Sequence, residues 1–141
     1  MAGQYLYVEE IEKVANEVLP DLKLTEYPNI KYLELDADSC KFMGKCSKAS
    51  QKLKFLTDLD YIVEVWKVAW DSADHATKKA LLYHELLHID PMRKKDGSIL
   101  WGIRDHDVEE FLEVADKYGP WDHALKTLVE SIDHYNKTIK K

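Results

Sequence analysis

Two imidazoles and a carboxylate within five residues are the side chains of this sequence best arranged to do chemistry. They are His84, Glu85 and His88, an H-E-x-x-H sequence inside Ala80-Leu81-Leu82-Tyr83-His84-Glu85-Leu86-Leu87-His88-Ile89-Asp90. The surrounding Ala, Leu and Glu are strong helix formers, and neither Gly nor Pro interrupts them before Pro91. On a helix, residues four apart share a face, so His84 and His88 project side by side and can reach one ion. Zinc suits such donors, at N–Zn distances of about 2.0–2.1 Å from ligands held rigid. Glu85 falls about 100° round the helix from His84. There it flanks the ion without ligating it, as the general base for a zinc-bound water.

The setting adds a second argument. Leu81, Leu82, Leu86, Leu87 and Ile89, with Ala80 and Tyr83, leave little polar face, and a helix apolar nearly all round is expected to be buried. Burying two imidazoles and a carboxylate is costly unless each is paired, and a metal with its water would satisfy all three. A catalytic zinc keeps three protein ligands and leaves the fourth position to water. The third must come from downstream. His106, 18 residues past His88, is the best candidate, and Glu109 and Glu110 are its rivals.

The elements that must hold these groups follow from the apolar pattern. Val8 to Leu19 reads as a first helix, with Val8, Ile11, Val14, Ala15, Val18 and Leu19 at helical spacing and Pro20 as its stop. Ile30 to Leu35 and Tyr61 to Val68 read as strands. Phe42-Met43 and Lys52 to Leu56 read as short strands or hairpin arms, with Gly44 as a break between them. Thr77 or Asp74 caps the motif helix. The Ile99-Leu100-Trp101-Gly102-Ile103 run is apolar enough to wall the site, and Gly97 and Gly102 suggest a lid loop. A capping box from Asp107 to Glu110 predicts a helix to about Tyr118, and Trp121 to Lys137 predicts a last amphipathic helix. In that helix Trp121, Leu125, Leu128, Val129, Ile132 and Tyr135 form the face expected to be buried. The expectation is a single α+β domain over 1–141, with a small mixed or antiparallel sheet packed on the motif helix and flanking helices.

Composition limits the alternatives. The 141 residues carry 20 basic and 26 acidic side chains, a net charge of −6. That argues against duplex nucleic acid binding across the whole surface. Five lysines, Lys41, Lys45, Lys48, Lys52 and Lys54, concentrate in one stretch. They read as a solvated hairpin edge guarded by charge, with contact to nucleic acid or an acidic partner as the other reading. An edge strand beside the site could take an extended peptide by strand addition. Cys40 and Cys46 lack zinc-knuckle spacing. No apolar run approaches the ~20 residues of a membrane span. Met1 to Tyr5 shows no basic or apolar leader character, so the expected location is the cytoplasm.

Ala69-Trp70-Asp71, the motif from Leu81 to Ile89, the run Asp105-His106-Asp107-Val108-Glu109-Glu110-Phe111, and Tyr118-Gly119 together resemble the putative phage metallopeptidase family of small zincin-like proteins. They are similar, more distantly, to the SprT-like and WLM-type minimal zincins. The resemblance implies a zinc-dependent peptidase acting on a peptide or protein in a bacterial host, with His84, His88 and His106 as ligands and Glu85 as base. The alternative is a binding module that keeps the metal structurally and engages a protein or nucleic acid without hydrolysis.

Overall fold

The computed structural model describes residues 3–107 and 112–138, which fall into two compact units, Met1–Arg104 and Asp105–Lys141. The first unit is built on one mixed sheet. Its strands are β1 (Gln4–Leu6), β2 (Ile30–Asp36), β3 (Gly44–Lys48) and β4 (Tyr61–Trp66), in the spatial order β1-β2-β4-β3. β1 runs antiparallel to β2, β2 parallel to β4, and β3 antiparallel to β4. β4 is one of the two inner strands and shows period two: Tyr61, Val63 and Val65 are fully buried, while Ile62, Glu64 and Trp66 are half-buried.

Helix α1 (Glu9–Val18) covers this sheet with the stripe the sequence predicts, and Ile11, Val14, Ala15 and Val18 are all buried. A 3-10 turn, Leu19–Leu22, follows with Pro20 in its first turn. Helix α2 (Gln51–Thr57) lies between β3 and β4, and α3 (Lys67–Ser72) follows β4 directly. Helix α4 (His75–Leu86) carries the start of the motif and sets Leu82 and Leu86 into the same core. Asp74 caps it by accepting the Thr77 N–H at 2.8 Å. One polar cluster ties the three helices together. The Trp70 indole donates to a Glu10 carboxylate oxygen at 2.7 Å, and Lys78 donates to the same oxygen at 2.9 Å. The Lys78 ammonium also lies 5.0 Å from the Trp70 ring centroid.

Several expectations are corrected here. Lys52 to Leu56 is helical because Ser50 accepts the Leu53 N–H and starts a turn, which Asp58 ends in the left-handed region at φ +62°. Gly44 opens β3 and does not break it. β4 stops at Trp66, where α3 turns Trp70 inward to Glu10 and Lys67 pairs with Asp71 at 2.9 Å. The stretch from Pro91 to Ile103 is no lid loop but a hairpin, β5 (Ile89–Arg93) with β6 (Ile99–Ile103). Gly97 closes its turn at φ +88°, and Gly102 sits in the ladder opposite Asp90. The Tyr61 hydroxyl donates to the Gly102 carbonyl, joining the hairpin to β4.

The second unit holds α5 (Leu112–Tyr118) and α6 (His123–Thr138). The predicted helix start at Asp107 to Glu110 runs into Val108–Phe111, which lie outside the described residues. Asp122 caps α6 by accepting the Leu125 N–H at 2.8 Å. Leu125 is buried, whereas Trp121, Leu128, Val129, Ile132 and Tyr135 are exposed, so the face expected to be buried is covered only at Leu125, in the helix's first turn. Leu82→Ala should cost about 2–5 kcal/mol in urea unfolding, because it opens a cavity under the motif helix. Leu56→Ala on the exposed side of α2 should stay within ~0.5 kcal/mol of wild type.

Candidate metal centre

The site is assembled at the end of α4. The helix ends at Leu86, inside the motif, but the backbone continues its turn. Leu87 N–H donates to Tyr83 at 2.9 Å and His88 N–H to Glu85 at 3.2 Å. That last tightened turn keeps the two imidazoles together, with ring centroids 5.5 Å apart at 80° and ligand nitrogens within 4.8 Å of each other. Strand β5 begins at the next residue, Ile89. The helix is not buried all round, as its composition suggested. Leu82, Glu85 and Leu86 are inside, Leu81 is half-buried, and Ala80, Tyr83 and His84 face outward, His84 at 53% side-chain exposure.

Each group has a distinct setting. The Glu85 carboxylate is 6% exposed. One of its oxygens lies 4.0 Å from His84 Nε2 and the other 4.0 Å from His88 Nε2, so the carboxylate sits between the two nitrogens. His88 is oriented by the hairpin. Ile89 pairs with Ile103, and the ladder runs one residue further, with Arg104 N–H donating to the His88 carbonyl at 2.7 Å. The Arg104 carbonyl in turn accepts from His88 Nδ1 at 2.6 Å. A carbonyl can only accept, so Nδ1 carries the proton and Nε2 keeps its lone pair for a ligand. This is the arrangement of a metal-binding histidine.

Gly44 gives Glu85 its room. A Cβ at that position would come within 3.1 Å of Glu85 Cγ, Glu85 Oε2 and Leu81 Cδ1. The start of β3 and the outer side of α4 border an open groove of about 440 Å³, with Met43, Ala80, Leu81, His84 and Glu85 among its walls. Two residues along β3, burial first and the Glu85 charge second push the Cys46 thiol up to about 12. The structure therefore brings His84, Glu85 and His88 together. His106 lies at the start of the second unit, two residues past Arg104. Glu109 and Glu110 are outside the described residues. Arg104 and Gly44 were not singled out from the sequence for the roles they have here. A Gly before a lysine-rich strand was read as a break, and a main-chain carbonyl leaves no signal of its own in a sequence.

The fold and these donors define an α+β protein with a candidate metal centre at the end of a helix. The chain belongs to the putative phage metallopeptidase family, whose sequence profile matches residues 3–133. Membership supports a metal-dependent peptidase of phage type. No curated protein and no solved structure matches the chain significantly.

Gly44→Val tests the packing at the centre. Valine ordinarily favours a strand over glycine, but here its methyls would meet Glu85 and Leu81. The variant should lose about 1–3 kcal/mol in thermal or urea unfolding; a gain in stability would show that β3 does not press on the motif helix.

Proposed function

We propose that this chain is a zinc-dependent metallopeptidase of zincin-like fold, with His84, His88 and His106 as ligands and Glu85 as general base. The observation that carries the reading is the placement of Glu85, a buried carboxylate set between the Nε2 atoms of two histidines, one of them held in its metal-binding tautomer by Arg104. A site with a purely structural metal has no use for a carboxylate there, which weighs against the non-catalytic binding module. Covalent geometry supports His106. Arg104 is bonded to His88 through both its N–H and its carbonyl. Two residues span at most ~7 Å, so the His106 backbone stays within that reach of Arg104. Three imidazole ligands with a fourth position for water suit zinc.

Zinc, when bound, supplies Lewis acidity that polarises a scissile carbonyl and brings the pKa of water down to about 7. Glu85 accepts the proton of the attacking water and delivers it to the departing amine. Its burial keeps bulk water from competing for that proton. Strand β3 receives the substrate as an extended segment, added to the sheet edge by main-chain hydrogen bonds. Its first residue, Gly44, lies against Glu85, so the bound segment runs past the base. Among the described residues no helix is long and apolar enough to cross a membrane. Action in the cytoplasm of a bacterial host belongs to the same reading.

Elemental mass spectrometry of the purified protein tests the ligands. Wild type should hold about one zinc per chain, and His84→Ala, His88→Ala and His106→Ala should each lose it. Zinc retained by His106→Ala alone would move the third ligand to Glu109 or Glu110. A wild-type protein that takes up no zinc on reloading would remove the enzyme reading. Glu85→Gln should keep the zinc while kcat on a susceptible peptide falls by roughly a hundredfold or more.

A further inference from the structure

The charge of this chain is unevenly placed. From Lys41 to Thr57 there are five lysines and no acidic residue, while the rest of the chain carries 15 basic against 26 acidic side chains. Lys54 is spoken for, since it pairs with the buried carboxylate of Asp60, which also accepts the Asn29 N–H at 2.8 Å. The other four, Lys41, Lys45, Lys48 and Lys52, are exposed. Lys45 and Lys48 lie on β3 itself, the edge strand that borders the groove.

The hydrogen bonds of β3 fix which way its backbone faces. Trp66 N–H donates to Met43, and Ala49 N–H to Asp60. In the β3–β4 register these are hydrogen-bonded pairs, so Lys45 and Ser47 also turn their main-chain groups toward β4. Gly44, Cys46 and Lys48 turn theirs the other way, along the edge that no further strand of this sheet pairs. An antiparallel segment added there bonds to Gly44 and Cys46, and the residue between those bonds lies directly opposite Lys45. That pair is not hydrogen-bonded, the type in which opposing side chains come closest, about 4.5–5.5 Å between Cβ atoms. Side chains on either side of it point toward the α4 face, where Met43, Ala80 and Leu81 are apolar. The Lys45 side chain stands on the opposite face, with its ammonium 5.9 Å from the Phe42 ring centroid.

We infer that Lys45 makes this edge select a peptide segment with an acidic residue opposite it, between two residues that enter the groove. Lys48 and Lys41 add favourable charge at the two ends. This rests on the peptidase reading for the location of the substrate and deepens it by naming the substrate's charge. A nucleic acid is also anionic, but strand addition to Gly44 and Cys46 needs a polypeptide backbone, and an ammonium on one face of the strand with an apolar groove on the other matches alternating side chains.

Fluorescence anisotropy with zinc-loaded Glu85→Gln separates binding from turnover. The probes are labelled ten-residue peptides with Ala at alternate positions and Glu, Gln or Lys at the others, and an oligothymidylate of ten nucleotides. The Glu peptide should bind about three- to fivefold more tightly than the Gln peptide, as one cross-strand charge pair allows. The advantage should shrink at high salt. Lys45→Gln should abolish the preference, and Lys45→Glu should invert it in favour of the Lys peptide. Equal binding of the three peptides, an order unmoved by Lys45→Glu, or tighter binding of the oligothymidylate would overturn the inference. Wild-type cleavage, read by mass spectrometry on the same peptides, keeps the two claims apart. Cleavage without charge preference removes this inference and leaves the peptidase; charge-ordered binding that Lys45 controls, with no peptide cleaved, removes the peptidase and leaves the edge as an acidic-peptide site.

Discussion

The bond from His88 Nδ1 to the Arg104 carbonyl decides what the rest of the centre can do. A neutral imidazole offers one donor and one acceptor, and which nitrogen carries the proton is set by what surrounds it. With Nδ1 committed to a carbonyl, Nε2 presents a lone pair in a fixed direction. The carbonyl is held in turn by the β5–β6 ladder, which returns the chain from Ile103 to Arg104 beside His88. The hairpin is held by the Tyr61 hydroxyl on Gly102 and by the Tyr61–Trp101 ring contact at 6.2 Å. Tyr61 is fully buried in β4. A line of contacts thus runs from the core to one nitrogen atom.

The second constraint is the cost of placing a carboxylate where Glu85 sits. A buried anion needs compensation, and the two imidazole Nε2 atoms stand 4.0 Å from its oxygens. A cation held by those imidazoles would bring positive charge to that spot. The arrangement is self-consistent with a cation bound. The glycine at the head of β3 completes it, because a side chain there would displace either the carboxylate or Leu81.

What could be read from the sequence was whatever rests on repeated burial. The α1 stripe and the β-branched and aromatic run of β4 are each stated several times over by consecutive residues, and the structure has a helix and a strand there. The motif was legible for the same reason: its chemistry and its helical spacing coincide in five residues. The elements that misled are those in which a single side chain outweighs local propensity. Ser50 turns a lysine–leucine alternation into a helix, and Trp70 pulls the residues after a β-branched run into one. The hairpin hid behind a polar turn in which Asp96, accepting from both the N–H and the hydroxyl of Ser98, and Gly97 do the work of a longer loop. The exposed side of α4 was missed because leucine count stood in for leucine position. Leu82 and Leu86 are four apart and share the buried face, whereas Tyr83 and His84 fall on the other.

A four-stranded sheet this small has two edges for four strands, and an open edge invites pairing with any extended chain. Lysines on β3 solve that problem in one direction only. A second copy of the same edge would bring ammonium against ammonium across a gap of about 5 Å, an arrangement that costs free energy. A segment with an acid at that position meets the opposite sign and gains. Guarding the edge against its own kind and admitting an acidic strand are therefore one physical property, fixed by which charge stands at Lys45. The same strand carries Gly44 against Glu85, so a segment added to this edge would run past that carboxylate.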